Sequence, residues 1–246
     1  MTGFSQKLKD LLWPRRCELC GREADRPGRY VCSDCLMRLP FNPVQGICSK
    51  CGRPAEGFDR DFLCEDCRHS PPSFDRAAAS LRFEDDTRRL VSAFKSRSAI
   101  HLAGDIADIM EGTIRSRFNV ELIDAIVPVP STIVHRLLRG YNQCGLIASE
   151  LSRRLAKPSI RLLKRIGFPK RQAGLREKER KENAAGSFAA LASISSHLPD
   201  PQSSTLLVVD DVMTTGSTLG ECAKVLKDCK VGTVWTAALA HTYRDA

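Results

Sequence analysis

Eight cysteines in four Cys-x-x-Cys pairs constrain the first quarter of this chain more than any other feature. The pairs are Cys17/Cys20, Cys32/Cys35, Cys48/Cys51 and Cys64/Cys67. Two intervening residues let both sulfurs of a pair turn toward one tetrahedral ion, and four thiolates complete a closed structural zinc site. Gly21 and Gly52 follow the first and third pairs, where the chain must reverse beneath a metal. Eleven residues separate the first two pairs and twelve the last two, so the region reads as an internal repeat holding two zinc ions. The repeat fits sequential binding, Cys17, Cys20, Cys32 and Cys35 on one ion and Cys48, Cys51, Cys64 and Cys67 on the other; an interleaved scheme would exchange pairs. His69 lies close behind Cys67, but eight sulfurs already fill two sites. Residues 16–68 carry too few apolar side chains to hold themselves together, so metal must supply on the order of 10 kcal/mol or more per site. A redox role, the other use of Cys-x-x-Cys, fits four evenly spaced pairs poorly.

Eleven cysteines in all would suit disulfides in a secreted protein. The N-terminus argues otherwise. Leu8, Leu11, Leu12 and Trp13 are interrupted by Lys7, Lys9 and Asp10, with no small-residue cleavage site after them. This reads as a short amphipathic helix and not a signal peptide, which implies a cytoplasmic protein. No stretch approaches the roughly 20 apolar residues of a membrane span, so no membrane insertion is expected. Lys and Arg outnumber Asp and Glu by 38 to 29, an excess that attracts nucleic acid or phosphorylated ligands. Pro71-Pro72 reads as a linker, dividing residues 1–70, the metal-bound domain, from residues 73–246.

The second domain has an α/β pattern. Ala77 to Phe83 reads as a strand, Asp85 to Phe94 as a helix with acids in its first turn, and Leu102, Ile106, Ile109 and Ile114 keep a helical period. Ile123 to Pro130 reads as a strand, Cys144 to Leu155 as a helix and Val231 to Ala240 as a last strand. Cys144, Cys222 and Cys229 fall on helical faces and read as core. The chemistry concentrates in residues 205–218. Thr205 to Val209 is an unbroken apolar run suited to a parallel strand buried on both faces, and Asp210 and Asp211 come where that strand should end. Met213-Thr-Thr-Gly-Ser-Thr218 is small and hydroxyl-rich, with Gly216 free to turn tightly. It enters a helix from Ser217 to Cys229, whose N-terminal N–H groups and dipole favour an anion. Phosphate at the loop and hydroxyls on the carboxylates describe a phosphorylated sugar, because ionised Asp accepts hydrogen bonds and repels a second phosphate.

The run from Leu206 to Thr218 resembles the phosphoribosyl-diphosphate motif of the type I phosphoribosyltransferases. Val127-Pro-Val-Pro130, Arg139-Gly-Tyr-Asn-Gln143, Gln172 to Arg180 with Asn183, Gly186 and Phe188, and the cysteine pairs after Trp13-Pro14 are similar to motifs of the ComF family, the competence-associated branch of these proteins. The resemblance spans nearly the whole chain. It implies a type I phosphoribosyltransferase-like parallel sheet with helices on both faces, preceded by a small double zinc ribbon. It also implies a phosphoribosyl diphosphate site with Mg²⁺, formed by Val209, Asp210, Asp211, Val212, Met213, Thr214, Thr215, Gly216, Ser217 and Thr218, with Ser131, Arg136 and Arg139 near the diphosphate. Asp210 and Asp211 would be the catalytic pair in any transfer to a nitrogen nucleophile, favouring the positive charge that develops at C1.

No residue of this set recognises a base or activates a nucleophile, so the acceptor is not legible. Residues 153–181 carry twelve Lys or Arg against two Glu, enough to track several phosphates, but aromatics that would stack bases are scarce, Phe168 and Tyr141 being the candidates nearby. ComF proteins are associated with uptake of single-stranded DNA and with helicase and recombination-mediator partners, which makes these the implied partners here. Two other functions remain as alternatives: an active phosphoribosyltransferase of nucleotide or amine metabolism, and a non-catalytic zinc-ribbon scaffold joining protein partners.

Overall fold

The computed structural model describes residues 15–54, 62–96, 99–132, 140–166, 186–192 and 194–242. Arg136, Arg139, Phe168, the Gln172 to Arg180 motif and the expected N-terminal helix lie outside these residues. In chain order the elements used below are α1 (Ser33–Arg38), α2 (Glu65–His69), β1 (Arg76–Arg82), α3 (Asp85–Phe94), α4 (Ala103–Arg117), β2 (Ala125–Pro128) and α5 (Gln143–Leu155). They continue with β3 (Leu163–Arg165), β4 (Phe188–Ala190), β5 (Thr205–Met213), α6 (Ser217–Asp228) and β6 (Thr233–His241). A four-stranded sheet in the order β1-β6-β5-β2 is parallel throughout, and β3 and β4 form a separate antiparallel pair.

Strand alternation builds two cores. Leu207 and Val209 of β5 and Trp235, Ala237 and Leu239 of β6 face α3, α4 and α5 through Leu90, Ile106 and Ile147. Leu206 and Val208, with Val234 and Ala238, face α6 through Leu219, Cys222, Ala223 and Leu226. Helices therefore cover both faces, as the sequence implied, because a continuous apolar strand exposes both sides to the same demand for burial. The carboxyl ends of the strands gather where β2 leads into Val129 to Ser131 and β5 into the loop before α6. One boundary differs from the sequence reading. β5 does not stop before the acidic pair but runs to Met213, because β6 continues beside it and Met213 pairs with His241.

The cysteine-rich segment is packed onto the sheet. Val31 and Leu39 are buried in the same core as Leu81, Leu90 and Leu102. Phe41 bridges Leu81, Asn42 N–H donates to the Ser80 carbonyl and Arg82 N–H to the Pro40 carbonyl, so residues 40–42 satisfy part of the outer edge of β1. Lower on that edge, Ala77 N–H donates to the Lys50 carbonyl at 2.7 Å, and Arg117 of α4 donates to the carbonyls of Cys48 and Ser49, each at 2.8 Å.

A charge cluster fastens the first ribbon to α4. The buried Asp105 carboxylate accepts from Tyr30 N–H at 2.9 Å, Val31 N–H at 3.2 Å and the Arg26 guanidinium at 3.2 Å. Arg26 and Arg29 also bond Asp108, which Arg154 of α5 reaches from the other side. Burial raises the Asp105 carboxyl from its ordinary value, against the pull of these donors. Asp105→Asn would remove the charge and turn an amide N–H₂ toward donors, so it should destabilise the chain by about 3 kcal/mol in denaturant titration. Asp34→Asn, on an exposed pair with Arg22, should change stability by less than about 1 kcal/mol.

Candidate functional site

The two cysteine ribbons are built alike. Gly21 and Gly52 both take φ of +73°, the left-handed turn glycine permits. The N–H of each donates back to the carbonyl of the first cysteine in its pair, Cys17 or Cys48. Cys32 and Cys64 sit at the N-caps of α1 and α2, so Cys35 and Cys67 fall one turn in. Cys32 N–H donates to Cys17 Sγ and Cys64 N–H to Cys48 Sγ, both at 3.4 Å. The sulfurs gather as Cys17, Cys20, Cys32, Cys35 and as Cys48, Cys51, Cys64, Cys67, all within 4.8 Å of one another in each group. This is the sequential scheme. Cys20 and Cys32 lie 3.7 Å apart and Cys51 and Cys64 3.6 Å, close to the roughly 3.8 Å that two thiolates take on tetrahedral zinc with Zn–S bonds of about 2.3 Å. The donor set fits zinc. His69 belongs to neither group and is exposed.

On the sheet, Asp210 and Asp211 leave β5 on opposite faces, as successive strand residues must. Asp210 turns toward α5 and α6. Its Oδ1 accepts from the Asp211 N–H at 2.9 Å and from the Cys144 thiol at 3.3 Å. Burial, then the neighbouring Asp211 charge, pushes the Asp210 carboxyl up to about 6. Asp211 turns the other way and accepts from Lys95 Nζ, at the end of α3, at 3.0 Å. Neither Lys95 nor Cys144 was picked out by sequence. Arg165 of β3 stacks over Phe188 of β4 with 5.0 Å to the ring centroid, and burial lowers its guanidinium against the charges of Cys222 and Asp210.

Val212 and Met213 end β5, and Thr214 to Gly216 turn into α6. Gly216 is the N-cap, with φ of +73°, and a Cβ there would meet the Phe74 ring at 3.6 Å. The hydroxyls of Thr215 and Ser217 are 2.6 Å apart, and Ser217 N–H leans to Thr215 Oγ1 at 3.4 Å. Thr214 and Thr218 are half-buried beside them. At the end of β2, Val129 N–H donates to the Val209 carbonyl, which ties the next turn to the acidic strand. The Ser131 hydroxyl in that turn is buried without a partner among the described residues. Tyr141 donates its hydroxyl to the carbonyls of Phe94 and Ser96, which holds it against the segment carrying Lys95.

A cavity of about 580 Å³ opens between the β5–α6 loop and the second ribbon. Met213, Thr214 and Ser217 line one side and Arg53, Asp66 and His69 the other, while the acidic pair lies outside its lining. Arg53 pairs with Asp66 at 2.7 Å, and burial, then the Arg53 charge, pushes the nearby His241 imidazole down to about 3. His241 is therefore neutral at ordinary pH.

This geometry combines two four-cysteine sites with a parallel sheet carrying an acidic strand end and a hydroxyl-rich turn. Comparisons with known proteins agree. Residues 8–68 match the family described as the double zinc ribbon domain, and residues 142–245 match the phosphoribosyl transferase domain. The fold and sites thus define a zinc-ribbon protein with a phosphoribosyltransferase-like domain. Among its relatives, Competence protein F of Haemophilus influenzae is 28% identical over 230 residues, 92% of this chain and 96% of the relative. DNA utilization protein YhgH of Salmonella typhimurium is 26% identical over 233 residues, 93% and 98% of the two chains. Competence protein ComFC of Bacillus subtilis is 26% identical over 212 residues, 82% and 79% of the two chains. Over most of its length the chain is thus similar to relatives named for competence and for DNA utilization.

Two outcomes follow for measurement. Metal analysis should return two zinc ions per chain, one for each four-cysteine group, and Cys64→Ser should retain only the ion of the first ribbon. Asp210 concerns pH. Its folded carboxyl, at about 6, lies above the ordinary value of 3.8, so the folded state favours the proton. Its contribution is most favourable below about pH 4 and is lost as pH rises through about 6. Asp210→Asn should therefore be more stable than wild type at pH 8, on the order of 1–3 kcal/mol. That margin should shrink as the pH falls to 5.5 in parallel denaturant titrations.

Proposed function

We propose that the site binds phosphoribosyl diphosphate with Mg²⁺, and that the protein serves the handling of incoming or utilised DNA. The observation that carries the first part is the acidic pair, Asp210 buried and Asp211 half-buried, followed in the chain by the Gly216 turn into α6. Both donors that reach Asp210 among the described residues fall on Oδ1, which leaves Oδ2 to accept from a ribose hydroxyl. Asp211 accepts from the neighbouring hydroxyl, with Lys95 offsetting its charge. The first-turn N–H groups of α6 and the hydroxyls of Thr214, Thr215, Ser217 and Thr218 suit the 5-phosphate. Ser131 has an unspent donor for the diphosphate, and Arg136 and Arg139 are proposed beside it. Mg²⁺ binds through few protein ligands and the oxygens of a diphosphate, where it would neutralise the leaving group.

The second part draws on the relatives, which carry the names competence protein and DNA utilization protein. The +9 charge and the bases of residues 153–181, apart from Arg153, Arg154 and Arg165, which Glu150, Asp108 and Phe188 engage within the fold, suit a single-stranded DNA partner. Helicase and recombination-mediator proteins are proposed as further partners, and the cytoplasm as the place of action. No helix among the described residues is long and apolar enough to cross a membrane.

Calorimetric titration of phosphoribosyl diphosphate with Mg²⁺ should saturate in the zinc-loaded wild type, and affinity should fall by at least about 100-fold in Asp210→Asn/Asp211→Asn, as loss of two charged acceptors implies. Release of diphosphate in the same samples would identify turnover. No binding by well-folded wild type would sink the ligand reading. Single-stranded DNA affinity should fall steeply between low and moderate salt, and a flat salt response would count against a phosphate-tracking surface.

A further inference from the structure

The thiol of Cys144 lies on one of the two carboxylates of the proposed site. Cys144 is the second residue of α5 and is 7% exposed. The S–H group reaches Asp210 Oδ1 at 3.3 Å, and the Asp211 N–H reaches the same oxygen at 2.9 Å. A carboxylate without such partners rotates freely about its last bond, whose torsional wells are broad. Two donors on one oxygen remove that freedom and leave the other oxygen available.

We propose that Cys144 is a positioning residue, whose thiol fixes the Asp210 carboxylate so that Oδ2 accepts a ligand hydroxyl at the end of β5. The inference rests on the reading that the acidic pair holds sugar hydroxyls. Among the described residues, Asp211 on its own strand, Cys144 from α5, Cys222 from α6 and Arg165 from β3 act on Asp210, and Lys95, at the end of α3, acts on it through charge from the opposite face, where it bonds Asp211. Among the described residues the Cys144 thiol and the Asp211 backbone hydrogen-bond to it, and the others act through charge or burial. Burial and the two carboxylate charges push the Cys144 thiol well above its ordinary range. It therefore remains S–H at any working pH and acts only as a donor. A polarisable sulfur also fills the apolar space beside Val127 and Leu206, which share its core.

The test follows the Asp210 carboxyl carbon by NMR in the zinc-loaded full chain with ¹³C-labelled aspartate, its resonance assigned through Asp210→Asn. Cys144→Ala removes the donor and should raise the titration midpoint by about half a pH unit or more, whereas Cys144→Ser should return it to within ~0.2 of wild type. Cys144→Val, which fills the volume without donating, should behave like Ala and serves if Ala loosens the helix. A packing role alone would affect stability without separating the Ser midpoint from those of Ala and Val. Phosphoribosyl diphosphate with Mg²⁺ is then titrated at about pH 6, where affinity should be about twofold or more lower in Ala than in Ser, from the smaller ionised fraction of Asp210. Equal midpoints in wild type and the Ala and Val variants overturn the inference, as do equal affinities of Ala and Ser when wild type binds. If wild type binds nothing while the midpoint moves, the ligand reading falls and the orientation of Asp210 by Cys144 stands.

Discussion

Closure of the two four-cysteine groups is the constraint on which much of the remaining fold depends, because the segment they hold is also the outer wall of the sheet. β1 is an edge strand, and an open edge is a row of unpaired backbone groups. Residues 40–42 and the Lys50 carbonyl meet that edge, but they can do so only if the ribbons on either side are fixed. Among the described residues the second ribbon has almost no core of its own beyond Cys48, Cys64 and Cys67, with Phe62 and Leu63 partly buried against them. Metal–thiolate bonds therefore stabilise the ribbons directly and the sheet edge indirectly. On the first-ribbon side the coupling is stronger, since Val31 and Leu39 share a core with α3 and α4 and Asp105 receives donors from the ribbon backbone.

The same strand that centres the core also carries its least favourable groups. Extending β5 to Met213 brings Asp210 into a fully packed environment, where its charge is disfavoured, and sends Asp211 to the opposite face beside Lys95. Two carboxylates one residue apart can be tolerated because alternation directs them to different helices, each supplying its own donor. The turn that follows concentrates further constraints. Gly216 needs a left-handed φ at the helix cap, and the Phe74 ring closes the space above it. Stability at this end of the sheet is given up where the Asp210 charge is buried beside the start of α6.

Much of this was legible in the chain, for local reasons. The Cys-x-x-Cys-Gly spacing encodes half of each ligand group and its turn, so all eight ligands can be read without knowing the fold, while their sequential grouping is fixed only by the fold. The sequence pattern marked α3, α5 and α6 to within a residue or two and the apolar line of α4 from Leu102 to Ile114, because their buried faces are continuous. The end of β5 was misread for a physical reason: side-chain pattern reports burial, while strand length is set by the backbone of β6 alongside. Lys95 and Cys144 escaped because neither has a local signature. Lys95 reaches Asp211 only once α3 lies across the sheet, and Cys144 looks like any small apolar residue on a helical face until its sulfur meets Asp210. The β3–β4 pair was also unseen, since three-residue strands carry too little pattern.

The ribbon and the candidate site, widely separated in sequence, meet through short contacts. Gly52 packs so closely that a Cβ would lie 2.9 Å from the Ala77 carbonyl of β1, which fixes the knuckle against the sheet. The next residue, Arg53, influences the His241 imidazole at the end of β6. His241 pairs with Met213, the last strand residue before the Gly216 turn. Arg53 and Met213 also line one cavity. A detached zinc module would have needed none of these contacts, and glycine at position 52 would have been required only for its φ. The second ribbon is instead a wall of the domain that carries the acidic pair, so the position of that wall and the shape of the cavity are set together.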